Sequence, residues 1–226
     1  WGPETLTDEQ TTMITETLKF SVVHRTEYQY GASMIDGYTV AHLLPRVTPW
    51  QRVEWSEVLI TPDADEYEES LDVFGNRVVR IGVHHAHERL GVVGRCTVEV
   101  DVPDDTVFDG STVAWDSVAR QLADARGDLA VDVGRFVAAT EATPALESLN
   151  LLTAGVFTPG RSLVDAIRAL STRINESFLF DAGFSDVSTP LVAVLEARRW
   201  VCQDFAHLAL ACLRMHGLAA RYVSGY

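Results

Sequence analysis

The chain has 226 residues, 47% of them apolar and 22% charged, with 18 lysines and arginines against 32 aspartates and glutamates and a formal net charge of −14. This is the composition of a globular protein, and a surface of that sign repels phosphodiester backbones and anionic headgroups, so neither nucleic acid nor a membrane surface is expected as a partner. No apolar run approaches the roughly 18 residues of a spanning helix, and residues 1–20 lack the basic and apolar regions of a secretory leader, so a cytoplasmic protein is expected. Three cysteines, Cys96, Cys202 and Cys212, are too few for a disulfide framework and fit a reducing compartment.

After an N-terminal extension, 1–17, residues 18–103 read as an antiparallel β domain. Phe20, Val22, His24, Thr26, Tyr28 and Tyr30 alternate with Ser21, Val23, Arg25, Glu27 and Gln29, the period of a sheet with one face buried. Residues 51–60 and 78–83 repeat the pattern, and turn residues fall between at Gly31, Gly37, Pro62, Gly75 and Pro103. The acidic run Asp63, Asp65, Glu66, Glu68, Glu69, Asp72 fits a solvated loop or edge strand, and His84, His85 and His87 fit a polar strand end better than a metal site, having no matched ligand pair.

Beyond Pro103 the period changes to that of helices. Residues 104–150 form a helical connecting segment, with apolar faces at Trp115, Val118, Ala119 and Leu122 and at Val133, Phe136 and Val137. Leu163, Ile167, Leu170, Ile174 and Phe178, four, three, four and four apart, mark the clearest helix, with Ser162 and Asp165 to cap it. Thr189-Pro190 opens a short helix through Leu195. A last helix runs from about Cys202 to His216 and stops at Gly217, and 219–226 alternates like a strand.

Cys202 carries the chemical interest. A cysteine in the first turn of a helix meets unpaired backbone N–H groups and the positive end of the dipole, and Arg198 and Arg199 lie just upstream; all of these favour thiolate over thiol. Cys96, within an apolar strand, and Cys212, in mid-helix, read as core. His207, five residues on, projects about 140° around the helix from Cys202, so it and Asp204 read as anchors of the helix rather than partners of the thiol.

The run Val201-Cys202-Gln203-Asp204-Phe205-Ala206-His207, then Leu213-Arg214, then Gly217-Leu218-Ala219-Ala220-Arg221-Tyr222-Val223-Ser224-Gly225-Tyr226, resembles the nucleophile segment of bacterial transglutaminase-like cysteine proteases. Leu44-Pro45-Arg46 to Gln51, and Phe74-Gly75-Asn76, resemble the β-rich domain that precedes the core in that family. The resemblance implies an α+β chain in which the β domain is followed by the helical front part of a papain-like transglutaminase core, 151–226. It makes Cys202 the nucleophile of thiol-dependent acyl chemistry on an amide or peptide, by hydrolysis rather than cross-linking, without metal or organic cofactor. Trp200, Gln203, Asp204 and His207 would surround the cleft. The family has Gly where this chain has Trp200, an indole expected to crowd that cleft. It places its catalytic His and Asp downstream of the Ser-Gly-Tyr segment, so the 226 residues by themselves are expected to show no turnover. The alternative is a non-catalytic binding module that retains the fold.

Overall fold

The computed structural model describes residues 14–103, 113–181 and 189–226, with the backbone alone for residues 14, 15, 103 and 200. The chain forms two compact units, Trp1–Val107 and Phe108–Tyr226. It has the expected α+β class, strands first and helices after.

The first unit contains β1 (Ile14–Met34), β2 (Gly37–Ala41), β3 (Gln51–Thr61), β4 (Glu66–Leu71), β5 (Arg77–Val83) and β6 (His87–Pro103). Most of the expected extension 1–17 lies outside the described residues, and residues 14–17 belong to β1, since Thr17 pairs with Asp101 and Glu16 with Val102. The strands make two three-stranded antiparallel sheets, ordered β1-β6-β3 and β2-β5-β4. Register explains the alternation of β1. Val22 stands beside Cys96, which stands beside Ser56, and Thr26 beside Val92, which stands beside Ile60; these residues share one face. Val58, Leu90 and Val92 of the first sheet and Ala41, Val79, Ile81 and Val83 of the second join in one hydrophobic cluster.

Gly94 permits a close approach in this core. A Cβ there would lie 2.9 Å from the Cβ of Leu43, so only glycine leaves room for the segment after β2. The opposite face of the first sheet is polar. The Asp101 carboxylate, 1% exposed, accepts from Arg52 at 2.5 and 3.1 Å and from the Thr17 hydroxyl at 2.7 Å. The Arg52 guanidinium and then the Thr17 hydroxyl hold that carboxyl below the usual range. The acidic run supplies β4, an edge strand, as its composition suggested.

The second unit is mainly helical: α1 (Trp115–Ala123), α2 (Asp128–Val137), a 3₁₀ turn (Glu147–Leu149), α3 (Asn150–Thr153), α4 (Leu163–Ser177), α5 (Leu191–Ala197) and α6 (Cys202–Met215). Two short strands, β7 (Leu179–Phe180) and β8 (Arg199–Trp200), pair in parallel. Its core gathers Leu149, Val156, Leu170, Ile174, Val194, Leu208, Ala211 and Cys212.

Helix α4 begins where Ser162 accepts the Asp165 N–H at 3.4 Å. Its buried face is Ala166, Leu170 and Ile174, while Ile167 is 42% exposed. Pro190, with φ −65° and ψ 143°, stands just before α5, which runs on two residues past Leu195 to Ala197. Residues 218–226 form no strand, contrary to their alternation. A strand needs a ladder partner, and among the described residues this segment has none; Ala220 N–H instead donates to Phe136 O at 3.0 Å. No helix among the described residues is long and apolar enough to cross a membrane.

Candidate active site

Helix α6 starts at Cys202 because the chain before it is held extended and then released into a turn. Val201 has φ −103° and ψ 169°, and its valine side chain offers no acceptor to the first turn. Asp204 supplies the tie instead: its Oδ2 accepts the Val201 N–H at 3.1 Å, while its own N–H donates to Val201 O at 3.0 Å. Upstream, Leu179 N–H donates to Arg198 O at 3.1 Å, the link between β7 and β8. Arg198 itself takes the left-handed conformation at φ 53° that ends α5.

Cys202 is exposed at this helix start, whereas Cys96 and Cys212 are buried, and all three are free thiols. Cys202 and its neighbour Gln203 hold the first two helical positions, whose N–H groups no earlier turn can satisfy. Burial pushes the Cys212 thiol up to about 12 and raises that of Cys96 as well. One feature of the expected electrostatics differs. The Arg199 guanidinium is ion-paired with Asp181, so its charge is met by a carboxylate rather than left to favour a thiolate.

Asp204 is 3% exposed. His207, one turn further along α6, is half-buried with its ring tilted against Tyr222 at 5.5 Å between centroids. Burial lowers its pKa; the Asp204 charge opposes that shift and Arg214 adds to it. Both Cys202 and His207 belong to α6, so their separation of about 140° around its axis stands. The Trp200 backbone forms β8, and its side chain lies outside the described residues.

The far end of α6 is also built firmly. Gly217, at φ 75°, donates to Arg214 O at 2.9 Å and Leu218 N–H donates to Leu213 O at 3.1 Å, a paired closure that buries Leu218. The Arg214 guanidinium donates to Ala220 O at 2.8 Å, Ala138 O at 3.1 Å and the Thr143 hydroxyl at 2.8 Å, tying three segments to the helix. An apolar groove lies between α4 and α6, lined by Ile167, Ile174, Phe205, Ala209 and Leu213. Ala209 and Leu213 lie within about 20° of the line through Cys202 along α6.

The other histidine cluster is a turn between β5 and β6. His84 reaches Asp36 at 2.6 Å and Glu66 at 3.4 Å, and His85 reaches Asp65 at 3.1 Å. His87 meets the His85 carbonyl at 2.8 Å. Among the described residues no group of three or more His, Cys, Asp or Glu could hold a metal ion.

Two family models match the chain: the bacterial transglutaminase-like N-terminal region over residues 20–99 and the transglutaminase-like superfamily over residues 152–226. The chain belongs to the transglutaminase-like superfamily. Uncharacterized proteins of Mycobacterium tuberculosis and Mycobacterium bovis are each 35% identical over 210 residues, 93% of this chain and 66% of theirs. One of Mycobacterium leprae is 28% identical over 208 residues, 92% of this chain and 71% of that protein. The chain thus spans about two thirds of the length of the curated relatives it matches. A putative cysteine protease from Cytophaga hutchinsonii shares the fold in its crystal structure, with TM-score 0.66 and 20% identity over 88% of this chain and 64% of that one.

Sequence reasoning singled out Cys202 and Asp204 but did not reach three contacts that hold α6 and the strand before it. The Asp181 partner of Arg199 is 18 residues away and is brought close by the β7-β8 pairing. The Tyr222 contact to His207 and the Arg214 ties join segments that no helical or strand period relates. The Leu213-Arg214 pair in the motif was the one available signal for the last of these.

Proposed function

We propose that the protein carrying this chain performs thiol-dependent acyl chemistry on the amide bond of a peptide or protein, with Cys202 as nucleophile. The reading is carried by one observation: Cys202 is an exposed thiol and the first residue of a 14-residue helix, within the region matched by the superfamily model. The Cys202 thiolate attacks the carbonyl carbon, the C–N bond breaks as the amine leaves with a proton from a general acid, and a thioester remains. The first-turn N–H groups face developing negative charge on the carbonyl oxygen, where one good donor is worth about 3 kcal/mol. Water then cleaves the thioester, releasing the carboxylate and restoring the thiol. The description of the structural neighbour as a cysteine protease favours water over an amine as acceptor. The general acid is assigned to no histidine described here: His207 projects away from Cys202, and His216 lies at the opposite end of α6. Three free thiols support a reducing, cytoplasmic setting.

The experiment is a brief iodoacetamide pulse on the folded chain, mapped by peptide mass, together with hydrolysis of a glutamine-containing peptide pool by the full-length protein and its Cys202→Ala variant. Cys202 should label fastest, and the substitution should abolish turnover. Equal labelling of the three cysteines, or turnover that survives Cys202→Ala, would remove Cys202 from the nucleophile role.

A further inference from the structure

We infer that Asp204 is a positioning residue for Cys202, acting through Val201; this rests on the nucleophile reading above. Residue 204 grips Val201 at both ends. Its side-chain Oδ2 accepts the Val201 N–H at 3.1 Å, and its backbone N–H donates to Val201 O at 3.0 Å. Val201 is the residue that fixes where the helix begins, and it cannot cap the first turn with its own side chain. The Val201–Cys202 peptide is therefore set by residue 204, and with it the direction in which the thiol leaves the helix end. The carboxylate is 3% exposed, so water does not compete freely for its oxygens. Residue 204 brings two things to the thiol: order in the backbone that carries the sulfur, and a carboxylate two residues along the helix from it.

Asparagine and alanine separate the two. Asp204→Asn keeps an oxygen that can accept the Val201 N–H and removes the charge, and Asp204→Ala removes both. The measurement is the rate of Cys202 alkylation in the folded chain across pH 5 to 10, roughly the span around an ordinary thiol pKa. Asp204→Asn should label within about threefold of the unaltered chain at neutral pH or faster, as loss of a nearby negative charge predicts. Asp204→Ala should label about tenfold more slowly than Asp204→Asn, its profile displaced toward that of an unstructured thiol. Superimposed Asn and Ala profiles would overturn the inference, because charge alone would then account for the effect of residue 204. Should the alanine variant fail to fold, amide hydrogen exchange at Val201 in the unaltered chain decides. Protection at least tenfold over an unstructured amide supports the grip, and unprotected exchange overturns it. A Cys202 of the unaltered chain that titrates like an unstructured thiol would defeat the nucleophile reading instead, with the Val201 amide still deciding the grip.

Discussion

His216 ends α6 with its ring stacked on Phe157 at 4.2 Å and edge-on to Trp115 at 5.5 Å, and its buried Nε2 has no hydrogen-bond partner among the described residues. Protonating that ring would put a charge into an aromatic pocket, and burial accordingly lowers its pKa below 6.5. The unfolded chain, with an ordinary histidine, binds this proton more readily than the folded one. The contribution of His216 to stability is therefore fully present above about pH 6.5 and is lost as pH falls toward the depressed folded value. Urea unfolding at pH 8 and pH 5 should show a larger loss in the unaltered chain than in His216→Phe; an equal loss would show that the ring gains water or a partner in solution. The thiols divide by the same logic. Cys212, pushed up to about 12 by burial, should stay unlabelled by iodoacetamide at pH 8 until the chain is unfolded in urea, as peptide mapping would reveal.

At the scale of elements, α6 is fastened at its start by Asp204 and at its end by Arg214, whose guanidinium meets the carbonyls of Ala138 and Ala220 and the Thr143 hydroxyl. Arg214→Ala leaves those acceptors short of donors and should cost about 2–4 kcal/mol in a denaturant titration. Arg214→Lys, lacking the planar fork, should recover only part of it. Helices α4 and α6 were legible in the sequence because their apolar spacing and their end residues agreed. Ser162 stands one residue before α4, and Gly217 stands where only a positive φ closes α6. Residues 219–226 misled for the opposite reason: alternation reports that one side differs from the other, but a strand exists only against a neighbour, and here Phe136 and Arg214 take the backbone groups of Ala220. That a helix starts at Cys202 was legible through local sequence alone. The ion pair that draws Arg199 to Asp181 was not, because it depends on the parallel pairing of two strands of two residues each.

At the scale of the molecule, each unit buries its own cluster of apolar side chains, one built from sheet residues such as Val79 and Ile81, the other around Leu149, Leu170 and Leu208. The ladders of β1 to β6 close among themselves, so residues 14–103 made alone should fold, with the dispersed amide spectrum of a β protein. A collapsed amide spectrum would show that this unit needs the rest of the chain. The order β1-β6-β3 has one more consequence. Among the described residues the 21-residue β1 lies at the rim of its sheet, with every second backbone N–H and C=O turned outward as a template for another chain. Lys19, Arg25 and Glu27 punctuate that rim on either side of Val23, which is 64% exposed. A second copy stacking along this edge would have to strip water from those charged side chains, so the same residues that decorate the polar face also disfavour aggregation. Replacing Arg25 and Glu27 together by valine should raise light scattering on incubation at high protein concentration while leaving the circular dichroism of the fresh sample unchanged.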